Sequence, residues 1–246
     1  MGATELWLVR HGESVANVAA ASSEANGLDV ISVDYRDADV PLSETGIEQA
    51  EALGQWLSEN MTDSVPTAVW ASSYLRARQT IEIAMERADL RLPVRIDERL
   101  RDRELGILDL LTPLGVENRY PEEALRRRWL GKFYYRPPGG ESWADVALRL
   151  RSFLRDVDLY DDGGVVLVAA HDAVIMLFLY VCGGLTEGEL LDFAQGHVVL
   201  NASVTKLVRP SGSGRWELDA FSIAEHLQES GAPVTAHPGD KDAEIH

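Results

Sequence analysis

Two apolar runs in this chain each stop on a histidine. Leu6-Trp7-Leu8-Val9 leads into Arg10-His11-Gly12-Glu13-Ser14, and Val165-Val166-Leu167-Val168-Ala169-Ala170 leads into His171-Asp172. A third run, Thr67-Ala68-Val69-Trp70-Ala71, is followed within a few residues by Arg76. A neutral imidazole at His11 can attack phosphorus and hold the phosphoryl group as an N–P intermediate, which divides one hard displacement into two easier ones. The transferring group spreads negative charge over its oxygens, so most of the catalysis is positioning and electrostatic stabilisation. Arg10 and Arg76 would supply it with bidentate forks. A protonated His171, and backbone N–H groups where a helix starts near Gly12 and Glu13, would add to it. The leaving alkoxide needs a proton, and a carboxylic acid of raised pKa is the natural donor. Asp102 and Glu104, in Leu100-Arg101-Asp102-Arg103-Glu104-Leu105-Gly106, are the candidates.

Taken singly, each residue has an ordinary explanation: His171 as a bonded core histidine, Arg76 in a charge ladder with Arg78 and Glu82, Asp102 in a surface ion pair. Their joint placement at junctions is harder to obtain by accident. A run of strand formers that turns helical at a polar residue puts that residue at the carboxyl end of a strand, the edge where open α/β sheets bind ligands. Strands are expected over 67–71, 94–96 and 165–170 as well as before Arg10. Helices are expected from Ser43 or Thr45 to about 60, over 74–87, over 142–156 and over 173–182. Such alternation predicts a three-layer α/β/α sandwich with a mainly parallel central sheet, closed by a hairpin over 198–208 and 216–221. Residues 19–40 read as a long polar loop. Residues 106–140 read as an insert over the site with one helix at 121–130. The polar stretch 229–246 reads as an unstructured tail beyond a single domain of 1–228.

The net charge of −17 argues against a nucleic-acid partner, whose footprint is a basic face. It also means that an anionic substrate is repelled by the molecule at large, so a phosphate site must concentrate its arginines. Cys182 is the single cysteine, which rules out an intrachain disulfide and reads as a buried thiol. No apolar run reaches membrane-spanning length, and strand-like sequence begins too early for a signal peptide, so a soluble, cytoplasmic chain is expected. His197, His226, His237 and His246 show no metal-ligand spacing, and neither a metal nor a cofactor is expected. Oligomeric state has no signal in the sequence.

The ordered motifs resemble those of the histidine phosphatase superfamily, also called phosphoglycerate-mutase-like. The likeness runs through residues 8–14, Asn17, 42–50, 71–80, 100–106, Gly140-Glu141-Ser142, the His171 junction and Asn201-Ala202-Ser203-Val204-Thr205. The resemblance implies a nucleophile at His11 and phosphate ligands at Arg10, Asn17, Arg76 and His171, with Gly12, Glu13, Ser23 and Asp172 around the substrate. The acid falls on Asp102, where most relatives carry Glu; the shorter side chain keeps Glu104 as a rival. Asp172 replaces a usual glycine and is expected to turn away and cap the next helix.

The expected activity is metal-independent hydrolysis of a small phosphorylated metabolite through phosphohistidine. One alternative is a cofactor-dependent phosphoglycerate mutase. Its Thr-Gly-Trp stretch is replaced here by Ala20-Ala21-Ser22-Ser23, although Arg126-Arg127-Arg128 is similar to a mutase arginine pair. A second alternative is a weakly active protein that binds phosphorylated ligands. Selectivity is expected from 19–40 and 108–138, where Trp129, Phe133, Tyr134 and Tyr135 are candidates for an apolar wall, with ordinary packing of the insert onto the core the favoured reading.

Overall fold

A computed structural model of the chain describes residues 2–61 and 64–237. Four strands, β1 (Glu5–Arg10), β2 (Pro66–Ser72), β3 (Val94–Asp97) and β4 (Val165–Ala170), run parallel. β5 (Val204–Val208) lies antiparallel to β1, and β6 (Glu217–Ile223) antiparallel to β5, giving the order β3-β2-β4-β1-β5-β6. The central strands are apolar on both faces because both are covered. Leu6, Leu8, Val166 and Val168 pack under α6 (Trp143–Tyr160) and α7 (Asp172–Gly183). Trp7, Val9, Leu167 and Ala169 pack under α2 (Glu44–Asn60) and α3 (Leu75–Arg87). This is the expected three-layer sandwich.

The loop expected over 19–40 begins as helix, because α1 (Val15–Ala25) runs into its first third. Ser14 accepts the Asn17 N–H while the Asn17 side chain accepts the Ser14 N–H, a capping box that starts an alanine-rich segment. The insert carries two helices rather than one, α4 (Pro113–Arg119) and α5 (Pro121–Tyr134), each opened by proline in its first turn. A further helix, α8 (Glu187–Gly196), follows α7 behind a Thr186–Glu189 capping box.

The unstructured tail does not begin at Glu229. α9 (Glu225–Ser230) runs through that position, and residues 232–237 return to the sheet edge. Gln49 Nε2 donates to Pro233 O at 2.7 Å and to Thr235 Oγ1 at 2.8 Å, and Asn201 N donates to Thr235 O at 3.2 Å. The remainder of the expected tail, with His246, lies outside the described residues. Among the described residues no helix is long and apolar enough to cross a membrane. Cys182 is buried, and burial pushes its thiol pKa up.

Candidate active site

The parallel register pairs Arg10 with Ala170, so the next residue of each strand, His11 and His171, emerges beside its counterpart. Their ring centroids lie 5.1 Å apart. The His11 backbone is held on both sides: its N–H donates to Ala170 O at 3.0 Å, and its carbonyl accepts Asn201 Nδ2 at 3.1 Å and Ala202 N at 3.3 Å. Its ring Nδ1 lies 2.7 Å from Gly12 O. A carbonyl only accepts, so Nδ1 carries the proton and Nε2 keeps its lone pair. Burial, then Arg76, His171 and Arg10, hold His11 well below its ordinary pKa, which keeps the ring neutral.

A cavity of about 560 Å³ opens in front of His11, with Arg10, Asn17, Arg76, Asp102 and Asp172 in its lining. Arg76 Nη1 donates to Asp37 O at 2.7 Å and to Asp37 Oδ1 at 2.8 Å, while Nη2 donates to Asp102 Oδ2 at 3.1 Å. Burial pulls Arg76 down, but Asp37 and Asp102 more than offset it. Arg10 donates to the carbonyls of Val199 and His237, and its Nε is buried with no hydrogen-bond partner. Burial lowers Arg10 against the opposing pull of Asp172 and Asp102.

His171 departs from expectation in two ways. It is fully buried and stands behind the cavity lining, not in it, packed edge-on against the Tyr74 ring at 5.3 Å. It is also neutral rather than protonated, because burial, Arg76, Arg149 and Arg10 all push it well below its ordinary pKa. Its Nε2 is 2.9 Å from Ser72 Oγ, and its Nδ1 lies 3.3 Å from Asp102 Oδ2 without the alignment of a hydrogen bond. One carboxylate oxygen therefore touches both Arg76 and His171.

The other expected ligands divide. Asn17 lines the cavity; its Oδ1 is engaged in the α1 cap, which leaves its amide N–H donors as what it can offer. Asp172 lines it too, with Oδ1 accepting the Ala173 N–H at 2.7 Å in the first turn of α7, so it caps without leaving the site. Gly12, Glu13 and Ser23 are outside the lining. Gly12 permits close approach: a Cβ there would lie 2.6 Å from Gly46 O. Glu13 binds Ser43 Oγ at 2.8 Å and His237 Nε2 at 2.9 Å, and Ser23 is buried inside α1. Of the two carboxylates, Asp102 is at the cavity, whereas Glu104 accepts from Tyr74 Oη at 2.9 Å away from it. The aromatic residues of the insert do not form a wall of the cavity. Trp129 is 85% exposed, Phe133 packs on Tyr180, Tyr135 donates to Glu123, and none of these, nor Tyr134, lines the cavity.

Asp37, Asp109 and His237 reach the cavity without having been singled out, each from a loop with no periodic pattern. Among the described residues, His11, Asp102 and His171 form the group whose ligand atoms could surround a metal, lying within 4.8 Å of one another. Arg10 and Arg76 line the cavity beside it.

The sequence profile of the histidine phosphatase superfamily, branch 1, matches residues 6–223. The chain belongs to this superfamily. A 2,3-bisphosphoglycerate-dependent phosphoglycerate mutase of Gloeobacter violaceus is 36% identical over 178 residues, 71% of this chain and 73% of that one. The fructose-2,6-bisphosphatase of Saccharomyces cerevisiae is 30% identical over 172 residues, 69% of this chain but 32% of that longer protein. A solved mycobacterial glucosyl-3-phosphoglycerate phosphatase superposes with a TM-score of 0.70 at 27% identity, covering 89% of this chain and 98% of its own. Phosphatases and mutases thus both stand among the relatives of this histidine phosphatase-superfamily chain.

Proposed function

We propose that the protein is a phosphatase that hydrolyses small phosphomonoesters through a phosphohistidine on His11, without a divalent metal. The carrying observation is the His11 tautomer: Nδ1–H is tied to Gly12 O, which leaves the Nε2 lone pair on a neutral ring beside two guanidinium groups. Arg10, whose Nε is buried without a hydrogen-bond partner, lines the cavity with His11 and would donate to a phosphoryl oxygen there.

The chemistry balances in two steps. Nε2 attacks phosphorus, the bond to the ester oxygen breaks, and the departing oxygen takes a proton that Asp102 accepts from the monoanionic ester as it binds. Water then attacks the phosphoryl group, Asp102 takes the water's proton, the N–P bond breaks and inorganic phosphate leaves.

The mutase reading has in its favour the 36% identity with the Gloeobacter mutase. Against it, Arg126, Arg127 and Arg128 lie outside the cavity lining, with Arg128 3.6 Å from Glu117 on the insert's surface. Release of inorganic phosphate from small phosphomonoesters, in the presence of EDTA and without bisphosphoglycerate, is the expected result. Rapid isomerisation of 3-phosphoglycerate that needs bisphosphoglycerate would reverse the assignment. Equal phosphate release by His11→Ala would end the reading of His11 as the nucleophile.

A further inference from the structure

We infer that the alcohol part of the substrate is bulky and largely apolar and carries no second phosphate or carboxylate, an inference that rests on the phosphatase reading above. A phosphoryl group fills a volume on the order of two or three waters, or roughly 60–90 Å³. The cavity holds about 560 Å³, so most of it faces the rest of the ester. Ile31, Leu105, Leu110, Leu111, Trp143 and Met176 line that remainder, and burying apolar substrate surface against them gains about 25 cal/mol per Å².

The charges point the same way. Asp37 and Asp109 both line the cavity, Asp37 bonded to Arg76 and Asp109 near enough to raise the Asp37 carboxyl. Burial raises the Asp37 carboxyl, Arg76 opposes that, and Asp102 and Asp109 add to it. Charge is already costly there, and a second anionic group on the substrate would add to the cost. The two cations of this lining are already engaged: Lys132 Nζ sits 4.8 Å from the centre of the Trp143 ring, and Arg103 Nε donates to Glu141 O at 2.7 Å. A bisphosphate or phosphoglycerate would therefore place its second anion against carboxylates and aliphatic side chains. Hydroxyl or ammonium groups on the alcohol would instead find acceptors in Asp37 and Asp109.

The test compares two primary alkyl phosphates with leaving groups of equal basicity, 4-phenylbutyl phosphate and 4-carboxybutyl phosphate, by kcat/KM for phosphate release. A preference of tenfold or more for the phenyl ester is expected. In Asp109→Asn that ratio should narrow at least threefold, through a lower KM for the carboxylate ester. Equal kcat/KM values, or a preference for the carboxylate ester, would overturn the inference while leaving the phosphatase reading intact. An unmoved ratio in Asp109→Asn would overturn the role given to Asp109. No phosphate from either ester would overturn the phosphatase reading and this inference together.

Discussion

Asp102 occupies the place that a bound oxyanion must take. Its Oδ2 is 3.1 Å from Arg76 Nη2 and 3.3 Å from His171 Nδ1, so a phosphoryl oxygen contacting both donors has to displace it. Asp102→Asn should then separate binding from turnover. Two unit charges about 4 Å apart interact by about 4 kcal/mol at an effective dielectric of 20. The Asp102 side chain is 25% exposed, so solvent screening reduces this to about 1.5–2 kcal/mol. Removing the charge should tighten inorganic phosphate binding by about tenfold to thirtyfold. Loss of the proton donor should meanwhile lower kcat on an alkyl phosphate by about 10²–10⁴. The amide keeps the shape but only one acceptor, so a stability loss of about 1 kcal/mol accompanies it, since Asp102 Oδ1 also accepts the Arg103 N–H at 2.8 Å. Titration calorimetry with inorganic phosphate at pH 7.5 reads the affinity, and steady-state phosphate release reads the rate. If the variant binds phosphate more weakly than the unaltered protein, Asp102 does not compete for the anion site and the argument fails.

Three other outcomes follow from the same contacts. His11, His171 and His226 are all held below their ordinary pKa, chiefly by burial. Near pH 6.5 the unfolded chain therefore binds more protons than the folded one, and stability should fall as pH drops from 7.5 to 5.5. The slope is at most about 1.4 kcal/mol per pH unit for each histidine; a Tm that is flat or rises on acidification across this window contradicts it. Gln49 is fully buried, accepts the Glu13 N–H at 2.8 Å and donates twice to the returning 232–237 segment. Gln49→Ala should cost about 2–4 kcal/mol in urea unfolding, and a loss under about 0.5 kcal/mol would show that these bonds hold little. Glu104→Gln should leave turnover of alkyl phosphates within about twofold, because Glu104 bonds Tyr74 away from the cavity; a loss confined to poor leaving groups would move the donor role from Asp102 to Glu104.

The strands that carry the site were legible because β1 and β4 are unbroken apolar runs, buried on both faces and ended by polar residues. Their adjacency was not, since the pairing of Arg10 with Ala170 joins residues far apart in sequence and leaves no local trace. The same limit hid Asp37 and His237, which arrive through loops and bind Arg76 and Arg10. Other misses did have signals. The Thr186–Glu189 capping box marks α8, and Pro113 marks a helix start in the insert ahead of the expected one at Pro121. Ser14 and Asn17 together announce α1, and that pairing also engages part of the Asn17 amide expected to face phosphate. Trp129 misled because an aromatic in an insert over a site need not face inward; α5 presents it to solvent. His171 was placed at the correct strand end, but its neutrality comes chiefly from burial, then from Arg76 and from Arg149, which α6 brings from a distant part of the chain.

The central claim is that the Nε2 lone pair of His11 takes the phosphoryl group. Rapid quenching in base during turnover of a ³²P-labelled phosphomonoester, followed by peptide mapping, tests it directly. A base-stable, acid-labile adduct on His11, absent in His11→Ala, is the expected result. Turnover with no adduct on His11, or with an acid-stable adduct on a serine or threonine, would contradict it.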